Sequence, residues 1–117
     1  MLTLSSNQRV FLACGSTDLR KSIDGLAAIV QEGFGLNPFT SGLFVFCNRA
    51  CNKLKILYWD HNGFWLYYRR LERGRFQWPR GKEDVIAISS RELSWLLDGL
   101  SLCQRQAHPK VNAISVI

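Results

Sequence analysis

Apolar and polar residues follow two rhythms along this chain, and the switches between them mark its elements. Arg9–Cys14 (RVFLAC) is a short apolar run of strand character that stops at Gly15. Beyond it, Leu19, Ile23, Leu26, Val30 and Phe34 recur every three or four residues, which puts them on one face of a helix. Thr17 or Asp18 can cap its start by accepting from a free backbone N–H. Gly33, Gly35 and the pair Asn37-Pro38 close it.

Strand patterns then dominate. Gly42–Asn48 (GLFVFCN) has strong strand propensity. Lys53–Asp60 and Phe64–Leu71 are two further strands joined by His61-Asn62-Gly63, and Asn-Gly is a strong hairpin signal because both residues tolerate positive φ. A two-residue Asn-Gly turn pairs Lys55 with Arg70; a bulge at Gly63 pairs it with Arg69. Either register sets like charges side by side, so an anion lies between them or the two long side chains splay into water. Gly74 and Pro79-Arg80-Gly81-Lys82 are turns, and Val85–Ile88 is a short strand. Ser89-Ser90-Arg91-Glu92 fits a capping box before a helix from Ser90 to Asp98, with Gly99 at its stop.

This order predicts an α+β fold: a small, mainly antiparallel sheet with a central Asn-Gly hairpin and two helices packed on one face. The other face is left to solvent or a partner. Residues 1–103 form the single domain; 104–117 are a polar, then weakly apolar tail that is expected to be disordered.

Composition supports a folded, water-exposed chain: 117 residues, 47% hydrophobic, 12% aromatic and 21% charged. No stretch approaches the ~18 apolar residues a membrane helix needs. The start, MLTLSSNQRV, lacks the charged and apolar regions of a secretory signal. The expected location is the cytoplasm, away from membranes, with thiols reduced. Cys47 and Cys51 are close, but Cys14, Cys103, His61 and His108 supply no second pair, so no metal site is expected.

Charge changes the picture more. The net charge is +6, and one segment accounts for it, the rest of the chain being close to neutral. Arg49, Lys53, Lys55, Arg69, Arg70, Arg73, Arg75, Arg80 and Lys82 face only Asp60 and Glu72 there, a local excess of +7. Aromatic residues are interleaved. Cations neutralise phosphates and release counterions, and ring faces stack on unpaired bases. Strand alternation sends most of these rings into the core, leaving one or two exposed, with Trp78 beside Pro79 the leading candidate. Arginine exceeds lysine in the segment, which suits phosphate or carboxylate, so an acidic partner protein fits as well.

Catalysis finds little support. The carboxylates Asp18, Asp24, Glu32, Asp60, Glu72, Glu83, Asp84, Glu92 and Asp98 are scattered, whereas phosphodiester hydrolysis needs them clustered around metal ions. Neither histidine is well placed to serve a cysteine or serine nucleophile. No P-loop or dinucleotide fingerprint is present. An enzyme acting on nucleic acid would have to use Asp18 or Asp60.

GSTDLRKSIDGLAAIVQ (residues 15–31), FVFCNR (44–49), KILYWDHNGFWLYYRRLERGRFQWP (55–79) and ELSWLLDGL (92–100) occur in this order. Together they resemble the TnpB accessory-protein family of IS-66 insertion sequences, over about residues 10–102. This family is unrelated to the far larger RNA-guided nuclease that shares its letters. The resemblance implies a bacterial mobile element whose separate transposase carries the catalytic residues, with this protein aiding transposition. The family's Thr-Asp-x-Arg-Lys segment falls on Thr17, Asp18, Arg20 and Lys21, and its basic Arg-Leu-Glu-x-Gly-x-Phe segment on Arg69 to Phe76. Relatives commonly carry basic residues after the position of Arg49, where this chain has Ala50, Cys51 and Asn52.

The expected function is therefore that of a non-enzymatic accessory factor without a cofactor. It would bind element-end DNA through Arg20, Lys21, Arg49, Lys53, Lys55, Arg69, Arg70, Arg73, Arg75, Trp78 and Arg80. The alternative is a module that contacts the transposase and does not touch DNA.

Overall fold

The computed structural model describes residues 7–102, which build a five-stranded sheet and two helices. Strands β1 (Val10–Ala13), β2 (Leu43–Cys47), β3 (Lys53–Asp60), β4 (Gly63–Arg70) and β5 (Val85–Ile88) lie in the order β4-β3-β2-β1-β5. Only β1 and β2 pair in parallel; the other neighbours are antiparallel. The α+β, mainly antiparallel expectation holds. The expected tail, Cys103 and His108 lie outside the described residues.

The helices do not share a face. Helix α1 (Ile23–Ala28) buries Leu26, and the π-helical turn that continues it (Ile29–Gly33) buries Val30. Both pack with Ala13, Phe44, Phe46 and Leu57. Helix α2 (Ser90–Leu97) sets Leu93 and Leu96 against Val10, Leu12, Leu43, Val45, Cys47, Leu54 and Ile56 on the other side. The cause is β2, whose five residues are all buried. Alternate side chains of a strand point to opposite faces, so five apolar residues in a row need cover on both. The parallel β1–β2 pair also requires a crossover, and α1 supplies it on one face. Burying each of these Leu, Val and Phe side chains contributes about 1.5–3 kcal/mol.

The hairpin turns one residue earlier than an Asn-Gly turn would. Asp60 pairs with Gly63, so His61 and Asn62 form the loop, with His61 at φ +63°. Lys55 then faces Tyr68, Lys53 faces Arg70 and Leu54 faces Arg69. This register sets Leu57 opposite Leu66 and Ile56 opposite Tyr67. The Asn-Gly register would put Arg69 opposite the buried Ile56 instead. Apolar pairing outweighs the turn preference here.

Helix α1 also starts later than its apolar spacing implies. Its N-cap is Ser22, without a side-chain cap. Asp18 is engaged elsewhere: its Oδ1 accepts from the Arg20 backbone N–H at 3.0 Å, a local turn that competes with helix. The Lys55 ammonium donates to the carbonyls of Leu19 (2.6 Å) and Lys21 (3.1 Å), holding residues 16–21 as a loop. Helix α2 matches its signal closely. Ser89 and Glu92 form the reciprocal capping box. At the other end, Gly99 (φ +83°) donates to Leu96 and Leu100 donates to Trp95, a Schellman stop.

Between β4 and β5 the chain crosses the α2 side of the sheet from one edge to the other. Phe76 and Trp78 anchor this crossing in the core, and the Trp78 indole N–H donates to the Ala13 carbonyl at 2.8 Å. Trp78 is thus a core residue, 8% exposed, and not the exposed ring expected beside Pro79.

Candidate nucleic-acid interface

On the α1 side of the sheet, beyond the helix, an open groove of about 1040 Å³ is lined by residues 16–20, residues 48–50, Lys53, Lys55, Leu66 and Tyr68. Its floor comes from β3 and β4. Strand alternation brings Lys53 and Lys55 to this face together, and pairing sets Tyr68 directly across from Lys55. The walls are two loops tied to the end of β2. Thr17 donates its backbone N–H to the Cys47 carbonyl at 2.8 Å, which anchors the first.

The second wall is a tight turn organised by Asn48. Its Oδ1 accepts from the backbone N–H of Asn52 (3.1 Å) and of Lys53 (3.0 Å), and its amide donates to Asn52 Oδ1 at 2.8 Å. Cys51 sits at φ +60° to close the turn and donates its backbone N–H to the Asn48 carbonyl. Arg49 and Ala50 are thereby presented at the exposed tip.

Arg20, Arg49, Lys53 and Lys55 thus line one groove with a single carboxylate, Asp18. Arg20 and Asp18 form an ion pair at 2.8 Å, with both groups exposed. The hydrogen bonds from Arg20 hold the Asp18 carboxyl down at about 2. Lys55 is half-buried, its ammonium committed to the two loop carbonyls. Arg49 and Lys53 take part in neither ion pair found among the described residues. Tyr68 is 55% exposed. An exposed ring beside cations, over an apolar floor at Leu66, can accept a flat apolar group that carries negative charge.

The remaining expected site residues do not join this groove. Arg69 and Arg70 are consecutive on β4 and point to opposite faces. Arg70 shares the groove's face, but its Nε donates to Glu72 at 2.8 Å. Arg75 and Arg80 line a second cleft of about 490 Å³ on the α2 side, with Cys51, Phe76, Gln77 and Trp78. Arg80 donates to the Cys51 thiol at 3.6 Å. Lys21 is exposed beside the first wall and contributes its carbonyl; Arg73 is exposed in the loop after β4. The +7 segment is therefore divided between two faces. Tyr68 and the Asn48 turn escaped the sequence reading. Their signal was the shared phase of Tyr68 with Lys53 and Lys55, legible only once the register is known.

Other chemistry is sparse. Cys14, Cys47 and Cys51 are free thiols. Burial, reinforced by the neighbouring Cys51 thiol, pushes Cys47 up to about 12 and keeps it protonated at neutral pH. Among the described residues no group of three or more His, Cys, Asp or Glu is placed to hold a metal ion. None of their helices is long and apolar enough to cross a membrane.

Fold and groove together define a small basic α+β protein with cations gathered on one face of its sheet. The chain belongs to the IS66 Orf2-like protein family, whose model matches residues 8–107. It is thus an insertion-sequence accessory protein, from a family that is not a known enzyme class. It is 45% identical over 100 residues to the uncharacterized protein y4hO of Sinorhizobium fredii (strain NBRC 101917 / NGR234), across 86% of this chain and 87% of that one. A second protein of the same strain, the uncharacterized y4jC, is 31% identical over 109 residues, across 93% of each chain. No solved structure matches the chain.

Proposed function

We propose that this accessory protein supports transposition by gripping DNA at the ends of its insertion sequence through the groove above β3 and β4. The observation that carries this reading is the convergence of Arg20, Arg49, Lys53 and Lys55 on one groove that holds a single carboxylate. Cations gathered this way neutralise consecutive phosphates and release their counterions, so binding is favoured at low salt and steered at long range. Arg49, exposed at the tip of a rigid turn, offers a planar fork of donors suited to phosphate.

The test is a salt series of binding to element-end DNA, supplied as duplex and as separated strands. We expect affinity to fall steeply with salt and the double variant R49E/K53E to bind at least about tenfold more weakly. Failure to retain either form of DNA at low salt would refute the reading, as would equal binding by the reversed variant.

A second reading, contact with the transposase, draws on a different surface. Trp65 is 54% exposed on the face opposite the groove and stacks on Tyr67 with ring centroids 6.1 Å apart. It lies on β4, an edge strand whose outer backbone groups have no strand neighbour in the sheet. Co-purification with transposase from nuclease-treated extract, lost in W65A, would support it; co-purification unchanged in W65A would count against it.

A further inference from the structure

We infer that the groove takes unpaired DNA, with a base stacked on Tyr68, in preference to a continuous duplex. This inference rests on the DNA-binding reading above and specifies its substrate. A duplex presents phosphates and sugars along its outside, and cations alone suffice to hold it. This groove has an exposed ring in its lining as well. Tyr68 is 55% exposed although it lies on a strand whose neighbour Leu66 is half-buried. It stands directly opposite Lys55 in the β3–β4 pair, and Lys53 lies one position along the same face. Leu66 and Tyr68 continue the groove's floor onto the edge strand β4, next to the lysines of β3. A phosphate chain can use only the hydroxyl of an exposed tyrosine, whereas an unstacked base matches the whole face of its ring.

The surrounding cations have the matching arrangement. Arg49 and Ala50 form one wall and residues 16–20 the other, so a strand running along the groove meets Arg49 and Lys53 with its phosphates. Lys55 does not need to turn outward, because its ammonium is already engaged by the Leu19 and Lys21 carbonyls. It braces the first wall at the level of the ring. Ring and cations are held by different devices, the ring by strand register and Arg49 by the Asn48 turn, so each can be altered without dismantling the other.

The test uses the full chain and a fluorescein-labelled oligothymidine of about 16 nucleotides, alone and annealed to its complement. Wild type, Y68A and Y68F are compared, with thermal unfolding as a folding control; the exposed position makes Y68A benign to the fold. The expected result is tighter binding of the single strand than of the duplex. Y68A should weaken single-strand binding by about 5- to 150-fold and leave duplex binding within about twofold, while Y68F stays close to wild type. Equal affinity for both DNA forms, with no effect of Y68A, would overturn the inference and leave the DNA-binding reading standing. Y68F as weak as Y68A would also overturn it, by assigning the contact to the hydroxyl instead of the ring. Absence of binding to either DNA form by wild type would instead overturn the DNA-binding reading, and this inference with it.

Discussion

Two basic regions lie within this chain, and the fold treats them differently. The groove gathers Arg20, Arg49, Lys53 and Lys55 from two loops and a strand into one concavity. The segment from Arg69 to Arg80 is denser in arginine, yet it scatters. Arg69 and Arg70 diverge by strand alternation, Arg70 is paired with Glu72, and Arg80 lies against Cys51. Its aromatic residues Phe76 and Trp78 go to the core. Charge density along a sequence is therefore a poor guide to charge density on a surface. What concentrates charge is backbone geometry: a shared strand phase, and turns tied to one strand end.

That contrast can be attacked at several points. The largest effect should come from Trp78, which sits in the core. W78A should cost about 3–5 kcal/mol through the cavity it leaves, with a further contribution from the indole N–H bond to Ala13. Chemical denaturation measures this, and W78F should recover most of the loss. If W78A unfolds at the wild-type denaturant concentration while DNA affinity drops, the assignment of that segment to the core is wrong. A smaller effect is expected at Asn48, which bears no charge but shapes the groove wall. N48A removes acceptors from two backbone N–H groups and should cost about 1–2 kcal/mol, measured in urea. It should also weaken DNA binding, whereas a purely additive charge model leaves binding unchanged.

Ala50 offers a gain instead of a loss. It is exposed and lines the groove, so A50K adds a cation where the phosphates should pass. The slope of log affinity against log salt should steepen by about 0.7 for a single strand. The smallest effect concerns Asp18. Its carboxyl is held at about 2 by Arg20, against an ordinary value near ~3.9, so the ion pair persists at neutral pH. Because the folded value is depressed, this interaction favours the folded loop above ~3.9 and is lost as pH falls through about 2. NMR titration of the Asp18 side chain should show that midpoint, and R20A should move it back toward the ordinary range. The exposure of both groups to solvent makes the effect on overall stability slight.

Local signals were legible wherever one element decided its own limits. Helix α2 carries its capping box and its glycine stop in sequence, and strand β5 has the bounds its apolar run implies. Long-range choices were harder to read. The start of α1 depends on Lys55, thirty-odd residues away, binding carbonyls that a helix would otherwise use. The hairpin register depends on what the buried Ile56 and Leu57 meet across the strand, which outweighed the local Asn-Gly preference. The opposite placement of the helices was foreshadowed in the unbroken apolar run of β2, a pattern that calls for two covers. Arg49, Lys53 and Lys55 were legible from charge, and Arg20 from the family's Thr-Asp-x-Arg-Lys segment. Tyr68 was not, because the plain turn puts it on the face of Lys53 and Lys55 and the bulged turn puts it on the other, so the sequence leaves its phase open.

The central claim, that position in the groove and not charge count governs binding, is tested most directly by comparing two double reversals of equal charge. R49E/K53E and R69E/R75E are measured against the same labelled single-stranded DNA across a salt series, after both variants are shown to unfold like wild type. The expected loss is about 1.4 units of log–log salt slope for the first pair and less than half of that for the second. Equal losses from the two pairs would contradict it.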